Sequence, residues 1–321
     1  MRSADGLTVA GLRAEPGSKT TGLVTVDLGT GSVDLPLALV CGTRPGPRLA
    51  ISAGIHGGEY VSIPALRRAI EQIEPSAVTG SIVAVLNANP AAFFARSVYV
   101  TPPDDKNLNR MFPGDPDGSP TERLAAWLFQ NVISPSDRLI DMHSGDLNEE
   151  LVSFVGLPAP VEPAVDSVAE SMAAAYGLDY VIGGGMSTGT AVGAARSAKI
   201  PAIWTEVGGR GSWTATEVQL TLDGLLRAAA SAGVYDGHVR PAARTPRRLS
   251  RNVWVRSEVG GCLYVEPALG DHVEDGQTLG RIEDFFGNQV QELRATMTGM
   301  VFYLVTSLAI TSGDPILGIG A

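Results

Sequence analysis

The stretch Arg48-Leu49-Ala50-Ile51-Ser52-Ala53-Gly54-Ile55-His56-Gly57-Gly58-Glu59 decides how the chain is read. Its first half is a continuous apolar run, the mark of a strand buried on both faces. Its second half is a glycine-rich loop that carries an imidazole and a carboxylate three residues apart. Strands of this kind belong to parallel sheets covered by helices, and ligands bind such sheets just past the carboxyl ends of the strands. Gly54, Gly57 and Gly58 permit unusual backbone angles and a close approach of the chain to a bound group. Glu59 is expected to enter the first turn of a helix reaching about Ile73.

Outward from this segment the pattern alternates. Leu23–Leu28 and Val33–Val40 read as an antiparallel pair joined at Gly29–Ser32. Ser81–Leu86, Arg138–Met142 and Ile200–Glu206 read as further buried strands. Thr121–Val132 and Val165–Tyr176 read as helices, the second ended by Gly177. Thr214-Ala215-Thr216-Glu217 has capping-box form and opens a helix to about Ala232. The predicted fold is α/β: a mixed, mostly parallel sheet flanked by helices, with a smaller all-β C-terminal domain.

The boundary is placed at 240/241, giving an α/β domain over 1–240 and a β-rich domain over 241–321. Asp236–Asn252, with Pro241, Pro246 and a run of arginines, reads as a linker or crossing strand with a solvated face. Beyond it a weak internal repeat pairs Gly261–Tyr264 and His272–Leu279 with Gly299–Phe302 and Ala309–Ile316. Two hairpin-like halves predict a small β-sandwich or barrel of biotinyl/lipoyl hammerhead type. No lysine lies beyond Lys199, so it carries no such attachment, and a structural or substrate-gating role is expected.

The composition narrows the function. A chain of 321 residues with 44% hydrophobic residues can bury roughly 75% of its unfolded surface, so a large core is available. Its net charge of −10 argues against nucleic acid and anionic membranes as partners. Two cysteines, Cys41 and Cys262, allow no disulfide framework and no Cys-rich zinc site. Met1–Ala10 lacks the apolar core of a secretory signal, and a cytoplasmic protein is expected. A homo-oligomer is compatible with the sequence.

Four histidines are present, at 56, 143, 238 and 272. An isolated loop histidine is ordinarily a hydrogen-bonded one, but His143, in Asp141-Met142-His143-Ser144, also follows a buried strand. His56, Glu59 and His143 then form a two-His, one-Glu set with an open fourth position, the ligand class of catalytic zinc. His238 and His272 read as linker and surface residues. A metal that acidifies water needs a carboxylate to move the proton. Glu206 ends the apolar strand Pro201–Thr205 and is the candidate, a salt bridge to Arg210 being the alternative. Asn109 and Arg110, in the long polar loop Asn107-Leu108-Asn109-Arg110-Met111-Phe112-Pro113-Gly114, suit a substrate carboxylate. Arg96 could polarise the scissile carbonyl, or could be ordinary surface charge.

The set His56-x-x-Glu59, Asn109-Arg110, His143 and Glu206, in that order, resembles the succinylglutamate desuccinylase/aspartoacylase family, a branch of the zinc carboxypeptidase fold. The Asn107–Gly114 block is its most specific element, and its Phe112-Pro113-Gly114 tail is similar to bacterial members, which include deacetylases of N-acetyl-diaminobutyrate. The resemblance covers nearly the whole chain. It implies one Zn2+ per chain held by His56, Glu59 and His143, Glu206 as general base, and Asn109 and Arg110 on the substrate carboxylate. Members place an arginine before the Asn-Arg pair, and Arg96 would occupy that position in this chain. The implied reaction is hydrolysis of the amide of a small N-acyl amino acid. The alternative is a zinc carboxypeptidase acting on a short peptide.

Overall fold

The computed structural model describes residues 6–102, 104–184 and 188–321. The first five residues, part of the start considered above for a leader, lie outside the described residues. A hairpin of β1 (Leu7–Val9) and β2 (Leu12–Ala14) leads into the long pair β3 (Ser18–Asp27) and β4 (Ser32–Cys41). Then come β5 (Arg44–Ala53), α1 (Ser62–Gln72), β6 (Thr79–Val85), α2 (Pro90–Ala95), α3 (Pro120–Leu128), β7 (Arg138–His143), β8 (Glu149–Leu151) and β9 (Phe154–Leu157). They are followed by α4 (Pro163–Tyr176), β10 (Tyr180–Gly183), α5 (Ala191–Ser197), β11 (Ala202–Glu206) and α6 (Ala215–Ser231). After β12 (Arg247–Leu249) only strands remain: β13 (Asn252–Arg256), β14 (Gly261–Val265), β15 (His272–Val273), β16 (Thr278–Glu283), β17 (Gln289–Arg294), β18 (Gly299–Val305), β19 (Ala309–Ile310) and β20 (Pro315–Gly320).

Nine strands form the main sheet, in the order β12-β10-β9-β11-β7-β5-β6-β4-β3. The pairs from β11 through β7 and β5 to β6 are parallel, as are β9 with β10 and β10 with β12. The predicted α/β class therefore holds. The chain leaves β5 toward β6 on one side and later returns to β7 on the other, so β5 lies where the strand order reverses, the place where open α/β sheets bind ligands. One face of the sheet is covered by α1, α4 and α6, whose apolar residues Leu66, Met172 and Leu225 pack with Ile51 and Ile140. The other face joins Leu124 of α3 and Val192 of α5 to a core that continues into the C-terminal strands through Phe302, Leu317 and Ile319.

The capping box at Thr214 is present, and Gly177 ends α4 in the left-handed conformation. Two expectations needed correction. Helix α1 starts at Ser62, so Glu59 lies in the loop and not in a helical turn. The segment between residues 149 and 197 folds β8, β9, β10 and α5, which sequence periodicity did not reveal because the strands are only three or four residues long. Within it Gly156 faces Trp204 across the antiparallel β9/β11 pair; a Cβ there would lie 1.9 Å from the indole ring.

The C-terminal strands make two sheets, β13-β20-β18-β15 and β17-β16-β14-β19. The weak repeat has a structural counterpart. In each half the second strand pairs with the fourth of its own half (β14 with β16, β18 with β20) and with the third of the other half (β14 with β19, β18 with β15). The halves interlock through mutual pairing, so neither has a complete sheet alone. β8, from the α/β part, joins this assembly by pairing with β18. In return β12, from the arginine-rich linker, extends the main sheet beside β10. Its neighbours are solvated pairs: Arg240 with Asp223, Arg244 with Asp179, Arg248 with Glu170.

The long polar loop is braced by α3. Glu122 accepts from Lys106 Nζ at 2.8 Å and from the Ser119 N–H at 2.9 Å, tying the loop to the start of the helix. The Lys106 bond, with the Ser119 bonds, holds the Glu122 carboxyl down to about 2. A carboxyl lowered on folding stabilises above its unfolded value of about 4.3, and that contribution is lost as pH falls toward 2. Glu122→Gln should therefore lower the urea midpoint at pH 7, and the gap from wild type should close by about pH 2. Gly156→Ala should cost about 1–3 kcal/mol through overpacking against Trp204, read as a lower denaturation midpoint with unchanged slope.

Candidate metal and catalytic site

The site lies at the carboxyl ends of three neighbouring strands. β5 ends at Ala53 and the chain turns through Gly54 to His56 and Glu59. His143 is the last residue of β7, and Glu206, the last of β11, is its Cα partner across the parallel pair. Three residues far apart in sequence thus meet through strand register. Gly58 makes the close packing possible: a Cβ there would fall 2.0 Å from Asp146 Oδ1.

Glu59 sits between the imidazoles. His56 Nδ1 lies 2.6 Å from its Oε1 and His143 Nδ1 2.7 Å from its Oε2. Ligand atoms of the three residues all lie within 4.8 Å of one another, the one such metal-competent group among the described residues. Each ring's other nitrogen is held from behind. His56 Nε2 is 3.2 Å from Asn107 Oδ1, and His143 Nε2 is 2.9 Å from Asp141 Oδ2. Asp141 in turn accepts from Ser52 Oγ at 2.6 Å, its register partner on β5. A carboxylate or carbonyl behind a ligating imidazole fixes its tautomer and direction, so Nδ1, the atom each ring turns toward Glu59, is the candidate ligand atom of both. Two imidazole nitrogens and a carboxylate, converging and supported in this way, fit a single zinc ion.

The charges follow from burial and contact. Burial opposes ionisation of Glu59, yet the two imidazoles and their hydrogen bonds hold its carboxyl down to about 2. Burial likewise opposes charge on His143, but Glu59 and Asp141 outweigh it and hold its pKa well above the ordinary imidazole value. Glu206 moves the other way: burial first, then the Glu59 charge, push its carboxyl well above the usual range. Its Oε2 is shielded from solvent and has no hydrogen-bond partner among the described residues. Arg210, the alternative partner considered from sequence, instead pairs with Glu150.

Asn109 is buried, with Oδ1 accepting from the Ala191 N–H at 2.9 Å and Nδ2 3.4 Å from His143 Nε2. Arg110 is exposed, bonds its own neighbour's carbonyl, Asn109 O, at 2.7 Å, and has no carboxylate partner among the described residues. Arg96 caps the end of α2 in the left-handed conformation, exposed and without a side-chain bond among the described residues. Sequence reasoning did not single out Asp141, Asn107 and Tyr99. Asp141 carried a usable signal, being a carboxylate inside an apolar strand and two residues from His143, hence on the same face. Tyr99 carried none; its ring meets the His56 imidazole edge-on, centroids 6.2 Å apart.

Residues 45–232 match the model of the succinylglutamate desuccinylase/aspartoacylase catalytic domain. N-alpha-acetyl-L-2,4-diaminobutyric acid deacetylase of Halomonas elongata is 30% identical over 297 residues, 89% of this chain and 85% of that protein. The product-bound structure of the ectoine utilization protein EutE (DoeB) from Ruegeria pomeroyi matches with a TM-score of 0.87 at 26% identity, covering 100% of both chains. A succinylglutamate desuccinylase/aspartoacylase structure from Rhodobacter sphaeroides, 23% identical, shares the fold over 94% of this chain and 95% of its own with a TM-score of 0.83. With the matched segment holding every residue of the metal cluster, the chain belongs to the succinylglutamate desuccinylase/aspartoacylase family.

Proposed function

We propose that the protein hydrolyses the amide bond of a small N-acyl amino acid, with a short-chain acyl diamino acid as the first substrate to try. The choice is supported by the Halomonas elongata deacetylase, whose likeness extends over 89% of the chain. The observation that carries the reading is the meeting of His56, Glu59 and His143 with an unpartnered Glu206 oxygen at adjacent strand ends.

His56, Glu59 and His143 would hold zinc, and the bound ion would supply Lewis-acid polarisation of the acyl carbonyl and water acidic enough to attack near neutral pH. Glu206 Oε2 takes the proton of the attacking water and returns it to the leaving amine nitrogen. A carboxyl raised by burial serves both directions of that transfer, because its basicity is closer to that of the groups it exchanges with. Arg110, with no carboxylate partner among the described residues, presents its planar fork to the substrate carboxylate, and buried Asn109 sets the backbone carbonyl on which that guanidinium rests. Arg96, exposed at the end of α2, next to Ser97 whose carbonyl lies close to Gly57 of the His56 loop, is assigned to the charge that develops on the carbonyl oxygen. With the division kept at 240/241, His56, Glu59, Arg96, Asn109, Arg110, His143 and Glu206 all precede it, while β12 beyond it pairs with β10 of the main sheet.

Glu206→Gln should retain bound zinc and lower kcat about 10²–10⁴-fold on whichever N-acyl amino acid the wild type deacylates, followed by detection of the released amine. Wild-type turnover by the metal-loaded variant would remove Glu206 from the mechanism.

A further inference from the structure

We propose that Tyr303, on the C-terminal β-unit, and Glu149 are positioning residues for the metal ligand His56, acting through Tyr99. The proposal rests on the assignment of His56 as a zinc ligand.

Tyr99 has φ 60°, in the left-handed region, which costs a bulky aromatic residue about 1–3 kcal/mol and persists only where neighbours over-determine it. Two acceptors do so here. The Tyr99 N–H donates to Asp146 Oδ2 at 3.0 Å, and its hydroxyl donates to Glu149 Oε1 at 2.5 Å. The ring so placed stands nearly perpendicular to the His56 imidazole, at 87°. His56 is then held on three sides: Glu59 at Nδ1, Asn107 at Nε2 and the Tyr99 edge against the ring.

Glu149 is the node. Its Oε1 also accepts the Tyr303 hydroxyl, and its Oε2 accepts the Asp146 N–H at 2.8 Å. Three donors therefore fix this carboxylate, with no cation bonded to it among the described residues. Burial, then the Glu149 charge, push both phenols above the ordinary tyrosine pKa, so both hydroxyls remain donors. Tyr303 reaches Glu149 because β18 pairs with β8, setting Tyr303 opposite Leu151 and Val305 opposite Glu149. Trp254 packs on the Tyr303 ring at 4.8 Å and fixes its direction. A contact path thus runs from the C-terminal sheet to a metal ligand, through a strand that the α/β part lends to that sheet.

The test measures zinc affinity by chelator competition, and the visible spectrum after loading with Co(II), for the full chain and for Tyr303→Phe, Tyr99→Phe and the double variant. The proposal expects each single variant to bind metal about tenfold more weakly, at the lower end of the 10–100-fold typical of groups behind a metal ligand. It expects an altered Co(II) band in both, and a double variant little weaker than Tyr99→Phe, because the two hydroxyls act through one carboxylate. Tyr264→Phe, on the exposed side of β14, should match the parent in both readings. Parent-like affinity and an unchanged Co(II) spectrum in Tyr303→Phe would overturn the proposal, as would full additivity of the two losses. Failure of the parent chain to take up metal is a different result and would overturn the metal assignment beneath it.

Discussion

The parallel placement of β7 between β5 and β11 is the constraint on which the rest depends. It sets Ser52 opposite Asp141 and His143 opposite Glu206, and it sends the loop after β5 over the same sheet edge. The metal cluster and Glu206 then stand together at three neighbouring carboxyl ends. Because side chains alternate along a strand, Asp141 and His143 share one face, and a single residue of slip would turn both away from the site. The apolar strand interiors, Leu49 to Ile51 and Leu139 to Ile140, are fully buried and hold that register.

Such a site concentrates buried charge, which is costly unless each group is compensated. The compensation here is specific. Glu59 is shared by two imidazoles, and Asp141 is shared by His143 and Ser52. Glu149 is shared by two phenols and a backbone N–H. Glu206 keeps an oxygen without a partner among the described residues, and burial and the Glu59 charge resist its ionisation. The missing partner is what the proposed proton transfer by Glu206 draws on.

The site was legible in the sequence to the extent that its residues follow strands with a local signature. His56 comes after an unbroken apolar run, His143 and Glu206 end two more, and the polar block around Asn109 stands out as a long loop. Glu59 was placed in a helical turn because nothing local distinguishes a loop carboxylate from one in the first turn of α1. The strands β8 to β10 were missed because three or four residues set no period, and β8 has no partner until β18 reaches it from far along the chain. Tyr99, Glu149 and Tyr303 come from three segments that share no pattern, and only the assembled fold brings them together. The weak C-terminal repeat was readable, whereas the crossing of its halves was not, since pairing between halves leaves no trace in the spacing of residues.

The central claim is that His56, Glu59 and His143 form one zinc site. It is tested most directly by the zinc content of the purified chain after saturation and removal of free metal, with His143→Ala alongside. The account predicts one zinc per wild-type chain and a near-complete loss in the variant with its fold retained. Zinc absent from the wild type, or bound in equal amount by His143→Ala, would contradict it.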